Sequence, residues 1–165
     1  MRWIRLCAVL FCSIFAIHQA FAQQASVADN STTSCTFADG QEISMRYNSS
    51  KQEPRMNGIW GPGGSPMYLF TQTKISLGNT EIPIGAYSVY ISGKKGNWTL
   101  IVNKGVTAGA SYDATQDLAR APMETGHLDA PEKQLHVYFV HAAPKQCNLR
   151  IYYEDNGYWA EFNEK

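Results

Sequence analysis

The sequence is poor in almost everything that announces chemistry. Among 165 residues there are only 4 histidines and 4 cysteines. No H-x-H, H-E-x-x-H or C-x-x-C spacing occurs, so the common metal-site patterns are missing and no metal or cofactor is expected. There is no G-x-S-x-G elbow either. Gly64-Ser65-Pro66 reads as a turn, and no catalytic residue is assigned. Charge of one sign is also lacking, with 14 Lys+Arg against 14 Asp+Glu. Without a basic stripe, nucleic-acid binding is not expected. No stretch shows convincing helical periodicity. Beyond residue 22 no long apolar run exists, whereas a membrane span needs ~20 apolar residues, so no transmembrane segment is expected in the mature chain.

The first 22 residues stand apart. Arg2 and Arg5 precede an apolar run over 6–17, and Ala20-Phe21-Ala22 puts small residues where a signal peptidase reads them. Residues 1–22 therefore read as a secretory signal cleaved before Gln23, with a periplasmic or secreted product. Cys12 follows the bulky Phe11, which argues against a lipoprotein site. Removing the signal leaves 143 residues with 12 basic against 14 acidic side chains, a net charge of −2. That length is one ordinary domain, able to bury roughly two-thirds of its extended-chain surface. Residues 23–32 are polar and aperiodic and are expected to be a loose tail, leaving 33–165 as the domain. Cys7 and Cys12 leave with the signal. Cys35 and Cys147 remain, and in an exported chain a disulfide is the default reading of such a pair; two buried thiols are the alternative.

What the chain does have is alternation. In 81–104, Tyr87, Val89 and Ile91 alternate with Ala86, Ser88 and Tyr90. After Gly93-Lys94-Lys95-Gly96 the pattern resumes with Trp98, Leu100 and Val102, only Ile101 standing out of step. This predicts a β-hairpin with one buried face. Similar runs predict strands over 34–38 and 41–47, joined at Asp39-Gly40, and over 67–77, turned at Gly78-Asn79. Short strands at 80–84 and 117–123 carry Pro83 and Pro122, which mark edges. The strands 134–141 and 147–153 follow, then a hairpin turn at Asn156-Gly157 and a last strand. The segments 48–66, 105–115 and 124–132 read as loops, with a helical turn possible near Thr115. The expectation is an all-β fold, an antiparallel β-sandwich or jelly roll of nine or ten short strands.

Three segments in order carry a family resemblance. Gly78-Asn79-Thr80-Glu81-Ile82-Pro83-Ile84-Gly85-Ala86-Tyr87-Ser88-Val89 is similar to "G-x-x-x-[LI]-P-x-G-x-Y-S-[LV]". Trp98-Thr99-Leu100-Ile101-Val102-Asn103-Lys104 is similar to "W-T-x-[IV]-x-N-K", and Tyr112-Asp113 with Asp117 through Arg120 to "Y-D … D-x-x-R". Together they resemble the exported bacterial family called domain of unknown function 2911, over about 35–165. The family's Trp-Arg-x-Gly-x-Asn segment is absent, its place taken by 65–71. The resemblance implies export and a β-rich single domain, and no activity.

For function, aromatics are the stronger lead. Tyr90, Tyr138, Tyr152 and Trp159 fall on faces opposite the expected core, where rings can stack on sugars or simply pack under a covering layer. Trp60 sits in the long loop, either in a binding site or as a plug on the core. The candidate ligand-binding residues are Trp60, Tyr68, Tyr90, His136 and Tyr138, and the expected partner is a small ligand, a glycan or an envelope protein. The alternatives are a periplasmic hydrolase working through His136 and the acids Asp113, Asp117, Glu124 and Asp129, and a purely structural module. His136 and His141 are five apart and point to opposite faces of a strand, so they do not make a ligand pair.

Overall fold

A computed structural model describes residues 30–49, 57–61, 65–94 and 96–165. The signal segment, the cleavage site and part of the long loop lie outside the described residues. Among those described, the chain forms eleven strands and one 3-10 turn, and the fold is an antiparallel β-sandwich. The strands are β1 (Asn30–Thr36), β2 (Glu42–Asn48), β3 (Asn57–Trp60), β4 (Met67–Thr71), β5 (Ile75–Leu77) and β6 (Thr80–Ile82). Then come β7 (Gly85–Lys94), β8 (Asn97–Asn103), β9 (Asp117–Pro122), β10 (Glu124–Ala143) and β11 (Gln146–Glu164).

One sheet runs β1-β2-β4-β7-β8-β9, with β3 also paired to β7; the other runs β10-β11-β5-β6. The alternating apolar positions meet between them. Ile43, Met45, Leu69, Val89, Ile91 and Leu100 from the first sheet are fully buried, as are Ile75, Ile82, Leu149, Ile151 and Phe162 from the second. Close-packed positions of this kind lose about 2–5 kcal/mol on truncation to Ala. Cys35 and Cys147 form a disulfide that ties edge strand β1 of one sheet to β11 of the other. The Phe139 amide also crosses the gap, donating to Thr33 Oγ1 at 3.0 Å.

Several sequence expectations need correction. β1 begins at Asn30, so the last residues of the expected tail are strand. Asn57–Trp60 is strand β3 within the expected long loop. The single strand expected over 67–77 is two, because the chain leaves one sheet after Thr71 and enters the other at Ile75. Asp39-Gly40 is part of a three-residue loop closed by Phe37 N–H to Gln41 O, with Gly40 alone at positive φ. The largest change concerns β10 and β11. Residues 124–132 are strand, not loop, and Asn156-Gly157 is no turn but pairs with His127 and Gly126.

That long hairpin is bent. Between His127 and His136, β10 advances nine residues while β11 advances four, from Tyr152 to Asn156. Glu154 takes φ 51°, unusual for a residue with a side chain. The inward-facing residues switch from Ile151 and Tyr153 to Tyr158 and Ala160 across this point. A bulge does both things, bending the strand and changing which parity faces the core.

Candidate functional site

The five candidate residues do not converge. Trp60 lies in the core at 3% exposure, so it plugs the sandwich. Tyr68 and Tyr90 lie on the outer face of the larger sheet, and His136 and Tyr138 on the outer face of the smaller one. Each outer face carries its own polar cluster.

On the larger sheet the cluster is a closed network. Asn103, on β8, pairs with Asp117 on β9. Its amide nitrogen donates to Asp117 Oδ1 and to Asp113 O, both at 2.8 Å, and its oxygen accepts from Gly105 N at 2.8 Å. The Tyr112 hydroxyl donates to Asp117 Oδ2 at 2.6 Å and accepts from Arg120 Nη2 at 2.6 Å. Arg120 Nε also donates to Asp117 Oδ2, at 2.8 Å. Tyr112 packs edge-on against Tyr90 with ring centroids 5.0 Å apart. Burial first, then the hydrogen bond and charge of Asp117, push the Tyr112 phenol up to about 12. Asp113 caps the 3-10 turn (Ala114–Gln116), and hydrogen bonds from the Thr115 hydroxyl, then the Thr115 amide and Gln116, hold its carboxyl below the usual range. The network ties loop 104–116 to the sheet, and Ile101, out of step in the sequence, is fully buried on that face with Tyr90 and Arg120 as its strand partners. Its polar groups are engaged with one another, and the arrangement works as a latch.

The smaller sheet is different. The bend brings both halves of β11 to one open cleft of about 400 Å³, lined by Glu124, Gly126, His127, Leu128, Asn148, Arg150, Tyr152, Trp159 and Glu161. Without the bend, Asn148 and Glu161 would lie about 43 Å apart along the strand, at ~3.3 Å per residue. Gly126 and Gly157 face each other across the two strands. A Cβ on Gly126 would stand 2.6 Å from Trp159 Cη2, and one on Gly157 would stand 2.9 Å from Tyr152 Cε1 and 3.1 Å from Trp159 Cζ3. The glycine pair is therefore the floor on which the two rings lie. The Trp159 indole N–H donates to Glu124 Oε2, which fixes the ring's orientation.

Two polar atoms in the cleft wall are buried without a hydrogen-bond partner: Asn148 Oδ1 and Arg150 Nε. Arg150 Nη1 reaches the Tyr152 hydroxyl only at 3.5 Å. Beside them Tyr138 stacks on Tyr152 at 5.2 Å, and burial followed by its hydrogen bond with Tyr152 pushes the Tyr138 phenol up to about 12. His136 pairs across the strands with Tyr152, and its Nε2 is 3.5 Å from Glu132 Oε2, both side chains about half exposed. Asp113 and Asp117 lie on the other side of the sandwich from His136. A larger hollow, about 620 Å³, opens at the bend beside Pro131, Glu132, Lys133, Tyr153, Glu154 and Asp155, and it brings no unpaired buried side-chain atom.

His136 and Tyr138 are thus legible neighbours of the cleft. Asn148, Arg150, Glu161 and the glycine pair were missed. The outward parity of Tyr152 and Trp159 was the available signal, but no alternation pattern shows that a strand folds back on itself.

The class these features define is an antiparallel β-sandwich with a latched loop on one face and an aromatic-floored cleft on the other. Residues 29–161 match the family model described as "Protein of unknown function (DUF2911)", and the chain belongs to that family. No curated protein and no solved structure matches it. The motif residues Asn103, Tyr112, Asp113, Asp117 and Arg120 build the latch, not the cleft. Among the described residues no helix is long and apolar enough to cross a membrane.

Proposed function

We propose that this chain is an exported, non-enzymatic binding module that holds a small polar ligand of the glycan type in the cleft of its smaller sheet. The ring platform of Tyr152 and Trp159 over Gly126 and Gly157 carries the reading, with the unpaired Asn148 Oδ1 and Arg150 Nε beside it. A buried polar atom left without a partner costs about 1–3 kcal/mol, and such atoms ask for an explanation. Here they sit beside a ring platform held flat by two glycines, and the cleft volume falls within the range of small-molecule sites. Ring stacking together with directed hydrogen bonds is how a saccharide is gripped, through its apolar ring face and its hydroxyls. Export is supported by the basic-then-apolar first 22 residues and by the Cys35–Cys147 bridge, which persists in an oxidising compartment.

The test is a glycan array and thermal-shift screen on the purified mature chain. The reading expects saccharide hits that Trp159→Ala and Arg150→Gln abolish while the fold, checked by circular dichroism, persists. Folded protein that no saccharide binds or stabilises at millimolar concentration would contradict it.

A further inference from the structure

The cleft's charged groups are lopsided, and that asymmetry names a ligand class. Negative charge dominates: the carboxylates of Glu124 and Glu161 both line the cavity. Glu124 accepts the Trp159 indole N–H through Oε2. Against these stands one permanent cation, Arg150, whose Nε is unpaired and whose Nη1 already leans on Tyr152. His127 and the Tyr152 phenol are the remaining titratable groups on the lining, with Asp155 Oδ2 at 3.9 Å from His127 Nδ1. Two carboxylates to one guanidinium make the wall net negative.

We infer that the cleft selects a saccharide that brings donors and positive charge, a hexosamine with a free amino group, over neutral hexoses and over sugar acids. The inference rests on the binding reading above. The sugar's apolar face lies on the Trp159 indole, held flat over Gly126 and Gly157. The ammonium faces Glu161, whose exposed side chain is free to turn toward it. A charge-assisted hydrogen bond of this sort is roughly twice as strong as a neutral one. A uronate repels the two carboxylates.

The experiment is calorimetric titration of the mature chain with three oligosaccharides of equal length: free-amine glucosamine, glucose and galacturonate. The expected order of affinity is amine, neutral, acid, with the amine at least fivefold tighter than the neutral sugar at low salt. Glu161→Gln, at an exposed position, is expected to erase that fivefold preference. Equal affinity for amine and neutral sugars, or tighter binding of the acid, overturns the hexosamine inference and leaves the binding reading standing. Silence from all three probes in protein that folds normally overturns the binding reading itself.

Discussion

The indole of Trp159 lies so close over Gly126 that a Cβ at that position would stand 2.6 Å from Cη2. Neither glycine of the pair, 126 or 157, has a positive φ, so backbone freedom is not what the two positions need. What they need is the missing side chain. Gly126→Val is therefore expected to lift the indole off the floor. Overpacking of this kind costs about 1–3 kcal/mol, so the domain stays folded while saccharide affinity is lost. Near-ultraviolet circular dichroism and a urea titration, set beside a binding isotherm, measure the three effects.

The latch offers a contrasting mutation on the opposite face. Asp117→Ala removes the partner of Asn103, Tyr112 and Arg120 together. Asn103 is 2% exposed, so the Nδ2 proton it gave to Asp117 is left unpaired in the interior, while its bonds to Asp113 O and Gly105 N remain. Arg120 is about half exposed and finds water. The expected cost is about 2–3 kcal/mol, read as a lower urea midpoint with an unchanged slope. Ligand binding in the cleft is expected to survive at temperatures where the variant is folded.

Cys35 and Cys147 are separated by 112 residues, and their bridge joins the two sheets. In the chain-entropy model a loop of that length contributes about 4–5 kcal/mol, and measured values are often lower. Cys35→Ser with Cys147→Ser is expected to lower the melting temperature by several degrees or more. Calorimetry of wild type with and without reductant should reproduce the drop. Coincident melts would show that the bridge contributes nothing.

Two phenols, Tyr112 and Tyr138, are pushed up to about 12 in the folded state. Unfolded, each titrates near its ordinary 10. The folded protein therefore holds these protons more tightly than the unfolded chain. Their contribution to stability is full below pH ~10 and falls as pH rises from there toward about 12. Alkaline unfolding followed by tyrosinate absorbance is expected to begin above pH 10. Tyr112→Phe should flatten that fall. A flat stability profile from pH 9 to 12 in wild type would refute the assignment.

The alternation of apolar side chains made much of this fold legible. Tyr87, Val89, Leu100 and Val102 lie inward as their spacing requires; Pro122 lies on edge strand β9, and Pro83 lies in the bend just after edge strand β6. Parity reports faces, but it does not report which sheet a strand joins. That is why 67–77 looked like one strand: its alternation carries through the crossing at 72–74. Asn156-Gly157 matched a hairpin signal, yet Gly157 is there to clear Tyr152 and Trp159. The segment 124–132, with Pro131 and several polar residues, lacks any strand signature and is held extended by pairing with β11. The cleft depends on the bend at Glu154, a tertiary event without a local code. His136 and Tyr138 could be placed outward, but their place beside the cleft through Tyr152 and Arg150 could not be read.

The most direct test of the cleft is an amide and indole NMR titration of the mature chain with a free-amine glucosamine oligomer. The indole Nε1–H of Trp159 and the backbone amides of Asn148 and Arg150 are expected to shift together, with one saturation curve. The Trp60 indole, deep in the core, and the latch around Tyr112 should stay still. Shifts gathered instead around Tyr68 and Tyr90, or no shift in well-folded protein, would contradict a binding site on the smaller sheet.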